Sequence, residues 1–462
     1  MNANRITRLK QGSENPNKKY VLYWMQQSQR VFYNHALNHA IEIANQINLP
    51  LKVFFGLTPN YPDANQRHYL FMLEGLRETR KLLIENGINF IFKLESPEKA
   101  IIEYLEDADT LVMDYGYLKH QRMWRHKVWD YANRYLSDLC IDIVDSDVIV
   151  PVDVVSNKAE YGAYTLRPKL HKLYGEYRDY FGLKKLKITM PTQYESDDDL
   201  SDPMGLIKRL DIDKSVLPSR IYHGGYSEAK KHLEYFISVN INQYPSSNDP
   251  GYDRTSKLSL YLHFGQISVL EILEHIINLL HSNQITQEAY LAFFEQLLVR
   301  RELAYNYVTY QQGYDRFETM TESWALQTMR EHDNDPRIYN YSIEEIELGK
   351  THDRYFNAAM KEVVHTGYMH NYMRMYWAKK IIEWTPSFKS AYNLIIKLNN
   401  RYFIDGRDAN SYAGVAWCFG KHDRAWTERP IFGKLRYMND KGLERKFEMN
   451  KYIERIDNMT KN

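Results

Sequence analysis

The stretch YVLYWMQQSQRVFYNHALNHAIEIANQINLPLKVFFGL, residues 20–57, decides the fold of the first part of the chain. It begins with the apolar run 20–25, ends with the apolar run 51–57, and has a helical pattern between them. Three further apolar runs alternate with amphipathic helical stretches: NFIFKL (89–94), TLVMDY (110–115) and IDIVDSDVIV (141–150). Five strands that alternate with helices predict a parallel sheet covered on both faces. Right-handed crossovers make it a doubly wound, Rossmann-like sheet.

The turn after the first run reads MQQSQR, residues 25–30. A dinucleotide-binding sheet has the glycine fingerprint GxGxxG at this turn, where glycine lets the backbone approach a pyrophosphate. Because that fingerprint is absent, the predicted fold alone names no ligand.

The pattern changes between residues 185 and 225, where acidic residues, proline and glycine dominate, as in ESDDDLSDP (195–203). From residue 226 onward apolar residues recur at intervals of three and four, for example in LEILEHIINLLH (270–281), which predicts helices. We therefore expect three parts: an α/β domain over 1–184, an interdomain linker over 185–225 and an all-α domain over 226–462.

The charge balance limits the classes of partner. The chain has 60 Lys and Arg against 59 Asp and Glu, so any nucleic-acid site must be a local patch. Residues 401–462 carry 13 Lys and Arg against 9 Asp and Glu, a local excess of +4. Two cysteines exclude a disulfide framework and a Cys-rich zinc module. With no transmembrane run or secretory signal evident, we expect a cytoplasmic protein without a membrane partner.

Two short patterns are interpreted as ordinary structure. The stretch ELGKTHD (347–353) contains GKT, but Glu344 occupies the position where a phosphate-binding P-loop needs glycine. His35 and His39 are four residues apart on a predicted helix, but no third metal ligand is evident. The sequence therefore predicts neither an NTPase nor a metal site.

Three segments carry stronger signals. In NDPGYDRTSKLSLYLHFGQIS (248–268), three hydroxyl side chains near a helix start suit a phosphate, with ordinary N-capping as the alternative. In MHNYMRMYWAKKIIEWTPSF (369–388), Trp377 and Trp384 are seven residues apart on one helix face, about 10.5 Å along the axis. They form either a buried aromatic stripe or a relay of redox-active indoles.

The third segment, LNNRYFIDGRDANSYAGVAWCFGKHDRAWTERPIFGKLRYM (398–438), is the richest in chemistry. Asp405, Arg407 and Asp408 surround a glycine turn, and basic residues then alternate with large aromatic ones. This combination suits a nucleic acid with an exposed base. The alternative is a charged surface over a core that contains tryptophan.

Together these segments resemble the photolyase/cryptochrome family, and most closely its class II cyclobutane pyrimidine dimer (CPD) DNA photolyases. TSKLS followed by YLHFGQIS is similar to the flavin phosphate-binding stretch of that family. MRMYWAKKIIEW differs at one position from the class II helix, and the third segment closely matches the class II carboxy-terminal signature. The resemblance covers the whole chain, because an α/β part followed by a helical part is the family architecture.

The resemblance implies a U-shaped FAD buried in the helical domain. Asn399 matches an asparagine near the reactive ring nitrogen of the flavin, and Arg374 and Asp405 match an ion pair beside the ring. The cofactor-binding residues that it implies are Tyr244, Thr255, Ser256, Lys257, Leu258, Ser259, Arg374, Asn399, Asp405 and Gly406.

The resemblance also implies damaged DNA as partner, with the pyrimidine dimer flipped out of the duplex. Reduced, photoexcited FAD passes an electron to the dimer, the cyclobutane ring splits, and the electron returns. Met375 and Trp417 match positions that contact the dimer. The residues that match those filling or flanking the emptied duplex are Arg424, Trp426, Lys434 and Arg436.

Two departures from the family pattern bear on activity. Phe356 replaces the middle tryptophan of the electron relay between Trp377 and Trp384, so we expect slow photoreduction unless Tyr355 or Tyr376 substitutes. Gln296 replaces a glutamate that contacts a carbonyl of the dimer. With Asn399, Arg374 and Asp405, Gln296 completes the expected catalytic set.

Other outcomes remain open at this stage. A cryptochrome-like flavin photoreceptor with weak or no repair is the first alternative, and a flavoprotein that binds DNA or RNA without chemistry is the second. The sequence does not decide whether an antenna chromophore sits in the α/β domain, and no motif chooses between a deazaflavin and a folate. We expect a monomer, because the family is usually monomeric.

Overall fold

A computed structural model describes residues 1–180, 182–190 and 200–461 of the chain. Its sheet has six strands in the order β1-β6-β5-β2-β3-β4. Strands β2 to β6 are parallel to one another, and β1 pairs antiparallel with β6 at one edge. The strands are β1 (Ile6–Lys10), β2 (Tyr20–Trp24), β3 (Leu51–Gly56), β4 (Asn89–Lys93), β5 (Ala108–Asp114) and β6 (Cys140–Val144).

The five predicted parallel strands are therefore confirmed, and β1 is an addition that the sequence did not signal. Its residues Thr7 and Arg8 are exposed, because an edge strand is covered only in part. In the central strand β2, successive side chains alternate between two cores. Val21 and Tyr23 pack with α1 and α2, while Leu22 and Trp24 pack on the α3 and α4 side. Helices thus cover both faces of the sheet.

Helices dominate the rest of the chain. The α-helices of the first part are α1 (His35–Ile47), α2 (Gln66–Glu85), α3 (Pro97–Ala100), α4 (Lys119–Tyr135), α5 (Val152–Val155), α6 (Ala163–Leu173) and α7 (Pro203–Arg209). Those that follow are α8 (Tyr226–Tyr235), α9 (Ser259–His263), α10 (Val269–His281), α11 (Gln287–Phe294), α12 (Arg301–Tyr310), α13 (Ser323–His332), α14 (Ile343–Glu347), α15 (Arg354–Thr366), α16 (Asn371–Trp384), α17 (Phe388–Tyr402), α18 (Ala409–Cys418), α19 (Asp440–Lys446) and α20 (Met449–Thr460).

The helical part confirms the prediction of an α-helical second half. Short π-helical turns, Phe236–Asn240 and Glu295–Arg300, continue α8 and α11. Residues 191–199 of the expected linker lie outside the described residues. None of the described helices combines the length and the apolar composition that a membrane span requires.

Buried polar side chains join the two parts. The guanidinium of Arg67 on α2 donates to the carbonyl oxygens of Val363 and Tyr402 at 3.0 and 2.9 Å. On α12, Arg301 donates to the Asp147 carboxylate at 2.8 Å, and Oε1 of Glu302 accepts from the Ile149 N–H at 2.6 Å. Such contacts satisfy backbone groups that the joint would otherwise bury unpaired.

Glu302 makes this joint sensitive to pH. Burial raises the pKa of its carboxyl from 4.5 to about 8, and Oε2 has no hydrogen-bond partner among the described residues. Since the folded state binds this proton more tightly than the unfolded state, the contribution of Glu302 to stability falls as the pH rises from about 5 to 8.

We therefore expect Glu302→Gln to be increasingly favoured over the wild type as the pH rises. The difference in the free energy of unfolding should change by about 3.5 kcal/mol between pH 5 and 8. Denaturant unfolding of both proteins at several pH values measures it. A difference that stays constant across this range would show that Glu302 does not titrate there.

Candidate active site

The centre of the candidate site is the ion pair between Arg374 on α16 and Asp405, which follows α17. Two parallel hydrogen bonds of 3.0 Å join Nη1 and Nη2 of Arg374 to Oδ1 and Oδ2 of Asp405. Burial alone would raise the pKa of Asp405, but Arg374 outweighs it and holds that pKa below its usual value. The pair that the resemblance implies is present, and its bidentate geometry fixes both side chains.

A close backbone contact brings Asn399 beside this pair. A Cβ added at Gly406 would lie 2.8 Å from the Asn399 carbonyl oxygen, so only glycine lets the chain after Asp405 pack against α17. Asn399 is buried in the last turn of α17, and its amide nitrogen donates to Oδ1 of Asn400 at 3.2 Å. The carboxylate and the Asn399 amide thus belong to one rigid corner.

The hydroxyl segment lies against the same ion pair. The Ser259 hydroxyl helps to hold the pKa of Asp405 below its usual value, and the Thr255 hydroxyl lies 3.0 Å from the hydroxyl of Tyr368. The guanidinium carbon of Arg374 lies 5.4 Å from the Tyr368 ring centroid. Predicted residues from three distant segments of the sequence therefore meet around Arg374.

The remaining residues implied at the cofactor are more enclosed. Lys257 is buried in a left-handed conformation (φ 58°), and its ammonium group binds Asp253 and the Thr255 hydroxyl. Leu258 is buried, and the Tyr244 ring packs against Phe293 with their centroids 5.0 Å apart. The Lys257 ammonium is therefore engaged by protein groups. Ser256 is only half-buried.

Helix α18 presents a face to open space. A Cβ added at Gly414 would meet no atom within 4 Å, and Trp417, nearly one turn later, is half-buried. Met375 beside Arg374 is half-buried as well. An aromatic ring and a thioether are therefore partly accessible on two helices, α18 and α16, that pack against each other.

Trp417 belongs to a stack with Arg436 and Trp426. The guanidinium carbon of Arg436 lies 5.3 Å from the Trp417 ring centroid and 4.2 Å from that of Trp426. Asp423 accepts hydrogen bonds from Nε and Nη2 of Arg436 at 2.8 and 3.0 Å. Arg424 lies over the Trp426 ring at 5.1 Å. The sequence predicted the aromatic and basic members but missed Asp423, because nothing in its spacing marks it as their partner.

A buried lysine, also missed from the sequence, supports this stack. The Nζ atom of Lys379 on α16 donates to the carbonyl oxygen of Cys418 at 2.5 Å. It thereby caps the end of the helix that carries Trp417, where a positive charge is favourable. Burial lowers the pKa of Lys379 to about 8. Lys379 lies in MRMYWAKKIIEW, the helix from which Arg374, Met375 and the two indoles were predicted.

The three residues of the expected electron relay are buried on α15 and α16. The rings of Phe356 and Trp384 are 4.9 Å apart, and those of Trp377 and Phe403 are 5.8 Å apart. Trp377 donates through Nε1 to the sulfur of Met360, one turn after Phe356 on α15, at 2.9 Å. Phe356 therefore contacts Trp384 directly, while Trp377 contacts α15 one turn further along, at Met360. The hydroxyls of Tyr355 and Tyr376 donate to carboxylates of Glu444 and Asp353.

Gln296 and Lys434 lie at the surface. Gln296 is exposed on the π-helical turn Glu295–Arg300, next to Glu295, whose carboxylate pairs with Arg167 and Arg300. The Lys434 ammonium lies 3.9 Å from the carboxylate of Glu428.

A separate cavity of about 130 Å³ lies where the carboxyl ends of β2 and β3 meet the helical part. Among its lining residues, Tyr61 and His120 share a hydrogen bond of 2.5 Å, and His263 and Arg407 come from the helical part. Within the described ranges, no group of three histidine, cysteine or acidic side chains could hold a metal ion.

Comparisons with known proteins agree on one family. Residues 21–189 match the family model of DNA photolyases. A deoxyribodipyrimidine photo-lyase of Methanothermobacter thermautotrophicus is 42% identical over 99% of this chain and 98% of its own length. A protein of the same name from Arabidopsis thaliana is 36% identical over 98% and 93% of the two chains.

Solved structures share the fold at low sequence identity. A class III photolyase from Agrobacterium tumefaciens superposes with a TM-score of 0.75 at 17% identity, covering 96% of this chain and 87% of its own. A Sulfolobus tokodaii photolyase with two FAD molecules gives 0.67 at 16% identity, covering 94% and 89%. A Synechocystis cryptochrome gives 0.72 at 15% identity, covering 95% and 89%.

Proposed function

The chain belongs to the photolyase/cryptochrome family, and from this we propose that it is a light-driven deoxyribodipyrimidine photo-lyase that repairs cyclobutane pyrimidine dimers in DNA. The observation that carries the proposal is the bidentate pair of Asp405 with Arg374 on α16, the helix that also carries the half-buried Met375 and packs against α18 with its half-buried Trp417. Helices α16 and α18 thus offer a fixed charge pair for a flavin and an aromatic surface suited to a flipped-out pyrimidine dimer.

The residues of the site fit FAD. The hydroxyls of Thr255, Ser256 and Ser259 supply hydrogen-bond donors for its phosphates and ribityl chain. When bound and reduced, FAD absorbs blue or near-ultraviolet light, supplies the electron that splits the dimer, and recovers it afterwards.

The protein itself supplies position and electrostatics. Arg374 and Asp405 hold a balanced charge pair beside the ring, and the buried Asn399 amide, held by Asn400, serves the flavin ring. Trp417 stacks on the dimer while Met375 packs against it, which excludes water from the splitting bonds. The neighbouring Arg436–Trp426 stack fills the gap left in the duplex.

Repair of an oligonucleotide with one thymine dimer tests the proposal. The bound flavin is reduced chemically without oxygen, and loss of the dimer is measured under blue light and in the dark. We expect repair only in the light. Absence of repair with bound, reduced FAD would overturn the proposal in favour of the cryptochrome-like photoreceptor or of a flavoprotein that only binds nucleic acid.

Phe356 predicts slow photoreduction of oxidised flavin, and Phe356→Trp should accelerate it. An indole at this position would lie against Trp384, and it is far easier to oxidise than a phenyl ring. A barrier lowered by only ~1.4 kcal/mol makes the step about tenfold faster. Bleaching of the oxidised flavin under continuous blue light measures the rate.

Phe388→Trp is the matched control for this variant, because Phe388 is equally buried but faces Phe419 at 6.5 Å. Both variants add volume to the same core. Rapid photoreduction of the wild type, or equal acceleration in both variants, would contradict the role of Phe356.

Gln296 predicts repair at reduced efficiency, and Gln296→Glu should raise the quantum yield of splitting. The glutamine amide can donate a hydrogen bond to the dimer but cannot supply a proton or a charge. A hydrogen bond to a charged group is ~1 kcal/mol stronger than one to a neutral group. This difference corresponds to about a fivefold change in the rate of the step that it affects. The exposed Gln327→Glu controls for net charge. An unchanged quantum yield would count against the prediction.

The cavity lined by Tyr61, His120, His263 and Arg407 is the place that we propose for a second, light-harvesting chromophore. It combines aromatic walls with a few polar groups, as small-molecule sites do. The chromophore's identity can be read by denaturing the purified protein and comparing the absorption of released pigments with that of FAD alone.

A further inference from the structure

Residues 156–172, here called the rim segment, border the candidate lesion site without belonging to the residues assigned to it. The segment comprises the loop after α5 and nearly all of α6. It carries four Lys and Arg residues against one glutamate. Its position is set by contacts with two parts of the lesion site.

The loop of the rim segment is tied to the chain just before Arg424. The Tyr161 hydroxyl donates to the Asp423 carbonyl oxygen at 3.1 Å, and Nδ1 of His422 donates to the Tyr161 carbonyl oxygen at 2.9 Å. The side chain of Asn306 on α12 also binds the loop: it donates to the Lys158 carbonyl oxygen and accepts from the Glu160 N–H. The rim segment is thus continuous with the stack of Trp426 and Arg436.

Helix α6 is tied to the turn that carries Gln296. Arg167 donates to both carboxylate oxygens of the adjacent Glu295 at 2.9 and 2.8 Å. Ala163, Leu166 and Leu170 are buried, so the opposite face of α6 points outward. On that face Tyr164 is 63% exposed and Lys172 is also exposed.

The exposed side chains have the chemistry of a nucleic-acid surface. Neither the Lys158 nor the Lys172 ammonium has a hydrogen-bond or ion-pair partner in the part of the chain that the structure describes. Tyr161 and Tyr164 form an edge-to-face pair at 6.1 Å, with Tyr161 40% exposed. Cations beside exposed aromatic rings suit phosphates and the faces of bases or sugars.

We propose that the rim segment is a second DNA-contacting surface, which binds the duplex beside the lesion. Lys158 and Lys172 neutralise backbone phosphates, and Tyr164 packs on an exposed base or sugar of the flanking DNA. The inference rests on the proposed function, because it takes the duplex at Trp417 and Trp426 as given. The α/β part of the chain then contributes to DNA binding together with the helical part.

The test measures DNA binding by the flavin-loaded protein. We compare the wild type, Lys158→Gln/Lys172→Gln and Tyr164→Ala on one duplex with a single thymine dimer and on the same duplex undamaged, over a series of salt concentrations. Lys81→Gln/Lys231→Gln and Tyr135→Ala are the controls, because these residues are also exposed but lie outside the rim segment.

We expect the double lysine variant to bind both duplexes more weakly. The slope of log K against log salt concentration should become shallower by about 2, because each lost phosphate contact removes about 0.9 from it. Tyr164→Ala should weaken binding about tenfold. Repair at saturating DNA should stay unchanged in both. A salt slope equal to that of the control lysine variant would overturn the phosphate contacts, and Tyr164→Ala matching Tyr135→Ala would overturn the packing contact.

Failure of the inference and failure of the proposed function are distinguishable. Binding of the undamaged duplex is measured without any repair step, so it reports on the rim segment even if no dimer is split. Conversely, repair by the wild type with no effect of the rim variants would leave the proposed function standing and remove the second surface.

Discussion

Replacing Arg374 with methionine is expected to strip the protein of FAD and to lower dimer repair by about a hundredfold or more. The substitution leaves the Asp405 carboxylate, only 6% exposed, without the guanidinium that balances it. Breaking a buried pair by removing one partner costs about 3–5 kcal/mol, because an uncompensated charge stays buried. That cost falls on the corner that also holds Asn399 and Ser259.

The measurements are flavin per protein after denaturation, the unfolding temperature, and dimer repair with added FAD. Arg374→Met/Asp405→Leu keeps the test meaningful if the single variant unfolds. Removing both charges should restore stability, since no lone charge remains, while repair stays lost. A single variant that keeps its flavin and repairs within tenfold of the wild type would refute the assigned role of the pair.

Replacing Trp417 with alanine is expected to abolish preference for damaged DNA while leaving FAD in place. Stacking of a base on an aromatic side chain is worth about 1–3 kcal/mol, so the Kd for the dimer-containing duplex should rise about tenfold to a hundredfold. The Kd for undamaged duplex should change little, because phosphate contacts dominate it. The ratio of the two Kd values is the measured quantity.

Trp417→Phe is the companion variant, because a phenyl ring retains part of the stacking area. It should fall between the wild type and alanine. If alanine weakens both duplexes equally, Trp417 acts by supporting Arg436, whose guanidinium lies over its ring, and not by contacting the dimer.

The five parallel strands of the α/β part could be predicted because each buried parallel strand is a short run of apolar residues in the sequence. The strand Ile6–Lys10 could not, because an edge strand with Thr7 and Arg8 exposed has no such run. The spacing of Trp377 and Trp384 predicted a shared helix face. It could not predict that Phe356, on another helix, would contact Trp384, because that contact depends on how α15 packs against α16.

In the candidate site too, some residues could be expected from the sequence and others became evident only from the packing. The Arg374–Asp405 pair was expected from the resemblance to a family, since residues 31 positions apart carry no pairing signal of their own. Arg436 was expected beside the duplex, and the structure adds that Asp423 and two indoles hold its guanidinium. Lys379 was missed because a lysine between apolar helix residues is normally a surface residue, and only packing reveals that this one is 1% exposed.

The stack of Trp417, Arg436 and Trp426 has a kinetic consequence. Asp423 already fixes the guanidinium between the two rings, so these side chains have little rotamer entropy left to lose when the duplex arrives. Because these side chains are preorganised, binding of the duplex does not require them to rearrange first. The slow step of lesion capture is then the unstacking of the dimer from its neighbours, and duplexes that open more easily around the lesion should be captured faster.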